Sequence, residues 1–511
     1  MTPPPHFDWI ASHAGRYARK LAIVDLQRDR RLTYAAFDDR IARLARYLRD
    51  EAAVGVGDRV AVLAMNSSDV FEIQFACARI GAIFVPLNWR LAVPELAPIM
   101  ADAEPTMLFT DAGRIGATLA SLAGLGLATA VVEMGGGFDS PYERAIAASV
   151  RLDRSEPRNH DEIQTILYTS GTTGLPKGVL HSFGTTFWSI VNLSIPCAID
   201  PDSVSLVTMP LFHVSGLNLY SNPVFHAGGT VLLMQGFEVG AALNAIDDPA
   251  LGVTHFFGVP AVWQFMAAHP AFAETDFSRL IVAGVGGAPT PLPMLGLWAR
   301  KGVQLLNGFG MTEAPVVTTL FAEDARIKTG SVGQPFLHME VGVFDEHHRP
   351  AARGDVGELR VRGPGVSPGY WRKPELNEAS FVDGWLRSGD LAYIDADGFT
   401  FVVDRAKDMF ISGGENVYPA EVERVLLELP GVAEAAVVGM PDKRWGETGA
   451  AVVVPMPGMA LTEAAVVAHC CERLAHYKVP GRVLFVADLP RNATGKVHKP
   501  SLRARIGEGA L

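Results

Sequence analysis

Tyr168-Thr169-Ser170-Gly171-Thr172-Thr173-Gly174-Leu175-Pro176-Lys177-Gly178 is the most informative stretch of this 511-residue chain. The apolar, β-prone residues 166–168 precede it, so a strand feeds a loop. Eight of the ten residues from Thr169 are Gly, Ser, Thr or Lys. Glycines let a backbone approach an anion and aim N–H groups at it, hydroxyls add donors, and Lys177 adds charge. That is phosphate-binding chemistry, although a plain surface loop has a similar composition. The phosphate loop of kinases and GTPases requires GxxxxGK followed by Ser or Thr, whose hydroxyl holds magnesium. Here Gly178 follows Lys177, and Pro176 stands where the second glycine belongs. Phosphoryl transfer of that class is disfavoured.

Around this loop the chain alternates between strand and helix. Residues 32–50 read as an amphipathic helix with Thr33 as its N-cap. A strand at 60–64, a helix at 69–80 and a strand at 82–86 follow, and apolar runs at 205–209, 229–234 and 280–285 continue the rhythm. This alternation predicts a parallel sheet covered on both faces. Beyond about residue 338, short strands at 341–344, 357–362, 391–395 and 400–404 are joined by turns such as Asp397-Gly398, an antiparallel β-rich section. After Arg405 the pattern is compact α+β: a helix at 420–429 preceded by Pro419, strands near 435–438 and 451–454, and a helix at 462–476. The expected fold is α/β and multidomain. Residues 1–404 form a large N-terminal domain of αβ-layered sheets plus the β-rich section, and residues 405–511 form a small α+β C-terminal domain. The tail, 506–511, is expected to fray.

Composition sets outer limits. The chain is too long for one domain, and 49% apolar with 19% charged residues supplies ample core for a soluble globular protein. Forty-four Lys and Arg against 55 Asp and Glu give a net charge of −11, which argues against nucleic acid or an anionic membrane as the main partner. The four cysteines contain no CxxC pair, so neither a disulfide framework nor a zinc site is expected, and a reducing cytoplasm fits. The start of the chain lacks the apolar core of a signal peptide. Three uncharged stretches, 115–132, 203–237 and 280–299, are read as buried strands and tight loops rather than membrane spans.

Four further segments share the loop's chemistry. They are Asn307-Gly308-Phe309-Gly310-Met311-Thr312-Glu313, Ser388-Gly389-Asp390, Asp404-Arg405-Ala406-Lys407-Asp408 and Pro490-Arg491-Asn492-Ala493-Thr494-Gly495-Lys496. With the 169–178 loop, in this order and at these separations, they resemble the acyl-adenylate-forming superfamily of acyl-CoA synthetases, peptide-synthetase adenylation domains and firefly-type luciferases. The resemblance covers nearly the whole chain. It implies an ATP site formed by Thr169, Ser170, Gly171, Thr172, Thr173, Gly174, Lys177, Gly287, Ala288, Pro289, Asn307, Gly308, Phe309, Met311, Thr312, Asp390, Val402, Arg405 and Lys496. Within it, Phe309 lies against adenine where Tyr is usual, and keeps the stacking face without the hydroxyl. Asn307 stands where Gln is common. Asp390 and Arg405 meet the ribose, and Thr312 donates to the α-phosphate. Glu313, a hard oxygen ligand, is assigned to Mg²⁺ with Thr172. Lys496 carries adenylation by meeting negative charge in the transition state. Lys407 is the hinge about which a mobile C-terminal domain swings between acyl-adenylate formation and thioester formation.

The resemblance also implies the second substrate and part of the acyl site. Ser412, Gly413, Gly414 and Glu415 match the segment lining the pantetheine tunnel of CoA ligases, and Arg90, Arg444 and Trp445 are further contacts expected for coenzyme A. Leu211-Phe212-His213-Val214 matches the segment where His213 closes the carboxylate end of the acyl pocket. Val214 stands where amino-acid adenylation domains carry an Asp, so a buried substrate ammonium would lack its partner. The expected walls are Asn218, Phe256, Phe257, Val259, Val285, Gly308 and Val316, which suit an aliphatic or aromatic tail. His255 is read as a satisfied core histidine. The expected partners are a small carboxylic acid, ATP and CoA, with a second copy of the chain left open. The rival readings are loading of a carrier-protein thiol, a luciferase-like oxidation and a non-catalytic nucleotide-binding protein. Medium- to long-chain fatty acids and aryl or phenylpropenoid acids both stay open.

Overall fold

The computed structural model describes residues 5–135, 137, 139–153, 155–170, 176–405, 407–412, 415–442, 445–491 and 496–511, with backbone alone at 115, 117, 121 and 170. Two layered sheets form the body of the large domain. The first runs Pro176–Ser182, Ile163–Ser170, Ile83–Pro86, Arg59–Leu63, Met107–Asp111, Ala130–Met134; all its pairs are parallel except the edge hairpin of the first two strands. The second has nine strands, with a parallel centre of Leu305–Met311, Val282–Gly286, His255–Gly258, Val204–Val207, Thr230–Leu233 and Leu21–Asp25. The helix Ser68–Ile80 is buried along its whole length, as an element between two layers must be. The helix Tyr34–Arg46 begins after Thr33, whose hydroxyl accepts from Ala36 N–H at 3.2 Å. Residues 30–33 form a strand on Leu21–Asp25 instead of the helix's start.

An antiparallel sheet follows, built from Glu340–Phe344, Gly357–Arg362, Trp385–Ile394, Phe381–Val382 and Thr400–Arg405. The next strand, Phe410–Ser412, already belongs to another sheet, with Glu415–Val417, Gly446–Pro455, Val432–Asp442 and Arg482–Phe485. Three helices cover it: Pro419–Leu427, Glu463–Cys471 and Lys499–Gly507. Pro419 is the first residue of its helix, where a missing N–H costs nothing.

Three expectations need correction. The uncharged stretches contain helices as well as strands, at Ile115–Leu122, Asn222–Ala227 and Leu292–Arg300; runs without polar residues carry no period that tells helix from strand. The helix expected at 462–476 ends at Cys471. The tail does not fray from 506, because Ile506 is buried in an apolar cluster against which Leu511 packs. Among the described residues no helix is long and apolar enough to cross a membrane.

Behind the second sheet lies an aromatic cluster. The fully buried Trp263 and Trp298 meet edge to face at 4.7 Å, with Phe256 against Trp263 at 5.1 Å. The Trp263 indole N–H is shared between the carbonyls of Gly258 and Gly284, at 3.2 and 3.1 Å. It therefore ties the carboxyl end of one parallel strand to the middle of its neighbour, close to where α/β sheets bind ligands.

Candidate active site

The hairpin Ile163–Ser170/Pro176–Ser182 sets Lys177 opposite Thr169. Residues 369–371 lie along the hairpin's outer strand: Leu180 N–H donates to Gly369 O at 2.9 Å and Trp371 N–H to Gly178 O at 2.8 Å. This brings Tyr370 beside Lys177. The third partner comes from the second sheet. Strands Leu305–Met311 and Ala314–Thr319 pair Met311 with Ala314, so Thr312 and Glu313 form the tip between them. Gly310 is required there, because a Cβ would sit 2.1 Å from the Pro315 carbonyl oxygen.

The three side chains form one junction. Lys177 Nζ donates to Glu313 Oε1 at 2.8 Å and to the Tyr370 hydroxyl at 2.9 Å, and that hydroxyl donates to the same Oε1 at 2.8 Å. Lys177 Nζ also lies 4.2 Å from the centre of the Tyr370 ring. Burial alone would raise the Glu313 carboxyl, but Lys177 and Tyr370 outweigh it and hold it below the ordinary carboxylate range. Glu313 is thus an anion at neutral pH, with both hydrogen bonds on one oxygen. That suits a hard divalent cation at the other. Thr169 Oγ1, across from Lys177, is buried without a hydrogen-bond partner among the described residues, a polar group positioned for a ligand.

The second half of the site lies on the antiparallel sheet. Asp390 and Arg405 are cross-strand neighbours, and Arg405 Nε contacts Asp390 Oδ1 at 2.7 Å. Asp390 Oδ2 is buried with no hydrogen-bond partner among the described residues, an acceptor facing an unmet donor. Burial raises the Asp390 carboxyl, with Arg405 and Lys496 opposing. Phe309 and Val402 belong to one small apolar cluster beside it.

Lys496 reaches this place from the small domain. Its Cε lies 3.7 Å from where a Cβ would stand on Gly287, which has φ +82°. Burial, aided by Arg405 and opposed by Asp390 and Glu313, lowers the Lys496 ammonium to about 8. His213 caps the short helix Val214–Leu217. Its Nδ1 accepts from Ser215 N–H at 3.2 Å, so the neutral ring carries its proton on Nε2. Burial, with Lys496 adding to it, depresses His213 to about 3 and keeps it neutral.

One cavity of about 2240 Å³ between the domains is lined by Thr169, Lys177, His213, Gly287, Ala288, Pro289, Asn307, Gly308, Phe309, Met311, Thr312, Glu313, Asp390, Val402, Arg405 and Lys496, with Arg90 at its edge. The family model for the AMP-binding enzyme matches residues 10–371, and that for the AMP-binding enzyme C-terminal domain matches residues 421–496. The chain belongs to the AMP-binding enzyme family. It is 41% identical over 477 residues to a feruloyl-CoA synthase of Amycolatopsis sp, covering 93% of this chain and 94% of that one. It is 39% identical over 509 residues to the indoleacetate–CoA ligase of Aromatoleum aromaticum, covering 98% of each. ATP-bound MatB from Rhodopseudomonas palustris superposes with a TM-score of 0.91 at 32% identity, over 99% of both chains. The α/β multidomain architecture is that of acyl-CoA synthetases, and the chain is an ATP-using, AMP-forming acid–CoA ligase.

Not every expected residue gathers in the cavity. Gly171, Thr172, Thr173, Gly174, Gly413, Gly414 and Arg444 lie outside the described residues, and Ser170 is described in its backbone only. Asn307 does line the cavity, and its amide also bonds to protein: Thr290 Oγ1 donates to it at 3.0 Å, and it donates to Ser331 O at 2.8 Å. Ser412, Glu415 and Trp445 line no part of the cavity; Ser412 is buried and pairs with Glu415 and Gly446 within the small domain. Arg90 stacks on Trp89, 4.7 Å from its ring centre, beside Phe212 at 5.8 Å. Of the expected acyl walls, Phe257, Val259, Val285, Gly308 and Val316 line the cavity, whereas Phe256 and Asn218 do not. Strand alternation turns Phe256 onto Trp263, and Asn218 accepts from Asn222 inside the core. His255 is a satisfied core histidine, between Thr254 Oγ1 at 2.7 Å and Cys197 O at 2.8 Å. Tyr370 and Tyr220 escape a reading by motif, since their signal lies in packing alone.

Two outcomes follow. Tyr370→Phe removes both hydrogen bonds of the hydroxyl, from Lys177 and to Glu313, and keeps the ring, so kcat/KM for ATP should fall about ten-fold or more, the worth of at least about 1–1.5 kcal/mol; unchanged ATP kinetics would detach Tyr370 from the site. In the free enzyme Lys496 loses its proton above pH 8 or so, so kcat/KM for adenylation should decline there. Lys496→Arg, which stays charged, should remove that decline, and a wild-type profile flat well past that pH would contradict the assignment.

Proposed function

We propose that the protein converts an aryl carboxylic acid to its CoA thioester by two half-reactions in the one cavity. In the first, a carboxylate oxygen attacks the α-phosphorus of ATP, the bond to the β-phosphate oxygen breaks, and pyrophosphate leaves. In the second, the thiol sulfur of CoA attacks the acyl carbon, its proton is lost, and AMP leaves. The reading is carried by Lys496, a buried cation from the small domain held against Gly287 and Asp390 of the large one, with Arg405 of the boundary beside it. There it faces the charge that develops as the acyl–phosphate bond forms. Lys177, the hydroxyls of the 169–178 loop and the backbone of its glycines hold the β- and γ-phosphates. Asp390 Oδ2 accepts from the ribose, Phe309 and Val402 flank adenine, and Thr312 donates to the α-phosphate. Glu313 with Thr172 would hold Mg²⁺, which when bound offsets charge on the leaving phosphates. The His213 Nε2–H faces the substrate carboxylate.

The thiol half-reaction uses another orientation of residues 405–511 about Lys407, with the boundary at 404. Ser412, Gly413, Gly414, Glu415, Arg444 and Trp445 would then approach the cavity, with Arg90 at its mouth. Support comes from Ser412, Glu415 and Trp445 standing apart from the cavity while Lys496 is inside it. Four thiols without a disulfide fit action in a reducing cytoplasm.

An aryl acid is favoured by the depth of the acyl end. From Gly287, beside Lys496, back to Gly284 is three residues, roughly 10 Å at strand rise. At Gly284 a Cβ would meet Phe257 at 3.0 Å and Tyr220 at 3.2 Å, so these rings close the pocket. Tyr220 is backed by Cys197, at 3.5 Å from its hydroxyl, and by the His255 ring at 5.9 Å. One aromatic ring with a short side chain fits that span; an extended long-chain fatty acid does not. Relatives named for feruloyl and indoleacetyl groups agree with this reading.

Lys496→Ala is expected to abolish acid-dependent ATP–pyrophosphate exchange and largely to spare thioester formation from supplied acyl-AMP. Equal loss of both, in a folded protein, would refute the assignment of Lys496. In a panel from acetate through long fatty acids to benzoate and cinnamates, scored for AMP release with and without CoA, a cinnamate or arylacetate should rank first. Tyr220→Ala should cost that acid about ten-fold or more in kcat/KM, the worth of two buried methylene groups at about 0.8 kcal/mol each, while longer acids gain. A palmitate preference in the wild type would overturn the aryl reading.

A further inference from the structure

The small domain brings Lys496 into the cavity through a chain of contacts that crosses the hinge at one carboxylate. Lys496 lies near the end of a segment closed at its base by a hydrogen bond from His498 N–H to Pro490 O at 2.7 Å and by a bridge between Arg491 and Val497. Lys499 begins the last helix immediately after it. Lys499 Nζ contacts Glu423 Oε1 at 2.8 Å, and both side chains are about 15% exposed or less. Glu423 belongs to the helix Pro419–Leu427, and its Oε1 also accepts from Val437 N–H at 2.8 Å. These ties lie within the small domain and travel with it.

Asp404 does not travel. It sits in the strand Thr400–Arg405, paired with Leu391, one register position from the Asp390–Arg405 pair. Its side chain is buried, and each oxygen accepts one backbone N–H: Oδ1 from Arg405 at 2.7 Å, and Oδ2 from Ala420, in the first turn of the helix Pro419–Leu427, at 2.7 Å. Burial raises this carboxyl to about 6, with Lys499 and the Ala420 N–H opposing and Glu423 adding to the rise. The Lys499 ammonium is in turn raised by Glu423, Asp404 and Asp408 against its burial. A carboxylate at a first-turn N–H is favoured by the helix dipole, and the ammonium of Lys499, itself paired with Glu423, adds opposite charge nearby. Any rotation about Lys407 separates Asp404 from Ala420 and Lys499.

We infer that Asp404 is a latch: with Ala420 N–H and Lys499 it holds the small domain in the orientation that places Lys496 for acyl-adenylate formation. Asp404 is then a positioning residue for the first half-reaction and irrelevant to the second. A contact present in one of two orientations shifts their populations by its own differential free energy. This inference rests on the two-half-reaction reading above.

The test measures both half-reactions on the full chain, with the acid the panel ranks first. Asp404→Ala removes the acceptor and the charge, and pyrophosphate exchange should fall about ten- to hundred-fold, the range for hydrogen bonds to charged groups. Thioester formation from supplied acyl-AMP and CoA should hold within about two-fold or rise, as expected for a population shift. Asp404→Asn keeps an acceptor for Ala420 N–H and should recover most of the exchange. Lys499→Met, which leaves the strand untouched, should give the same split if Asp404→Ala fails to fold. Exchange unchanged in Asp404→Ala, or both half-reactions lost equally at an unaltered melting temperature, would overturn the latch. Absence of either half-reaction in the wild type would instead refute the underlying reading.

Discussion

A buried carboxylate must be paired or it destabilises everything around it, and Glu313 imposes that condition where three sheets converge. Its side chain is 6% exposed. Its partners arrive from separate parts of the chain: Lys177 from the edge hairpin of the first sheet, and Tyr370 from the segment leading into the antiparallel sheet. Removing one partner of such a pair costs about 3–5 kcal/mol. The junction therefore fixes the mutual placement of the phosphate loop, the Thr312–Glu313 tip and the segment at 369–371. Because Glu313 stays anionic, the same pairing that holds the sheets together leaves hard negative charge at the edge of the nucleotide site.

On the far side of the cavity the electrostatics are reversed. Two cations, Arg405 and Lys496, share the neighbourhood of Asp390, and burial makes Lys496 reluctant to hold its proton. An incoming triphosphate would relieve that strain, because negative charge favours the protonated lysine. On the two-half-reaction reading proposed above, substrate binding and docking of the small domain would be coupled thermodynamically, each making the other more favourable.

Much of this was legible in the sequence, and the reasons differ by residue. The order of strands and helices followed from apolar periodicity, and the resemblance of ordered motifs picked out residues such as Lys177, Glu313, Asp390 and Lys496 that the fold brings to one cavity. Gly310 illustrates such a constraint, for the Pro315 carbonyl leaves no space for a side chain. Tyr370, Tyr220 and the Glu423–Lys499 pair were not legible. Each acts through a partner far away in sequence, and no local pattern records that distance. Phe256 was misplaced for a related reason: in an apolar run such as Phe256-Phe257, only the strand's exact register decides which ring faces the cavity. Asn307, expected at the nucleotide from its motif, lines the cavity, and only the structure shows that its amide also holds two loops together.

The indole of Trp263 has a further consequence. By bonding to the carbonyls of both Gly258 and Gly284, it makes the floor strands a stiff plate, anchored from the side remote from substrate. On the aryl-acid reading, the rings resting on that plate, Tyr220 and Phe257, are then the side chains whose exchange would alter the acid pocket with least disturbance of its floor. The nucleotide half, where even a methyl group at Gly310 would collide with backbone, has little room to drift. On that reading, side chains at one end of the cavity can be exchanged while the end where glycine packs on backbone stays fixed, which separates the choice of acid from the use of ATP.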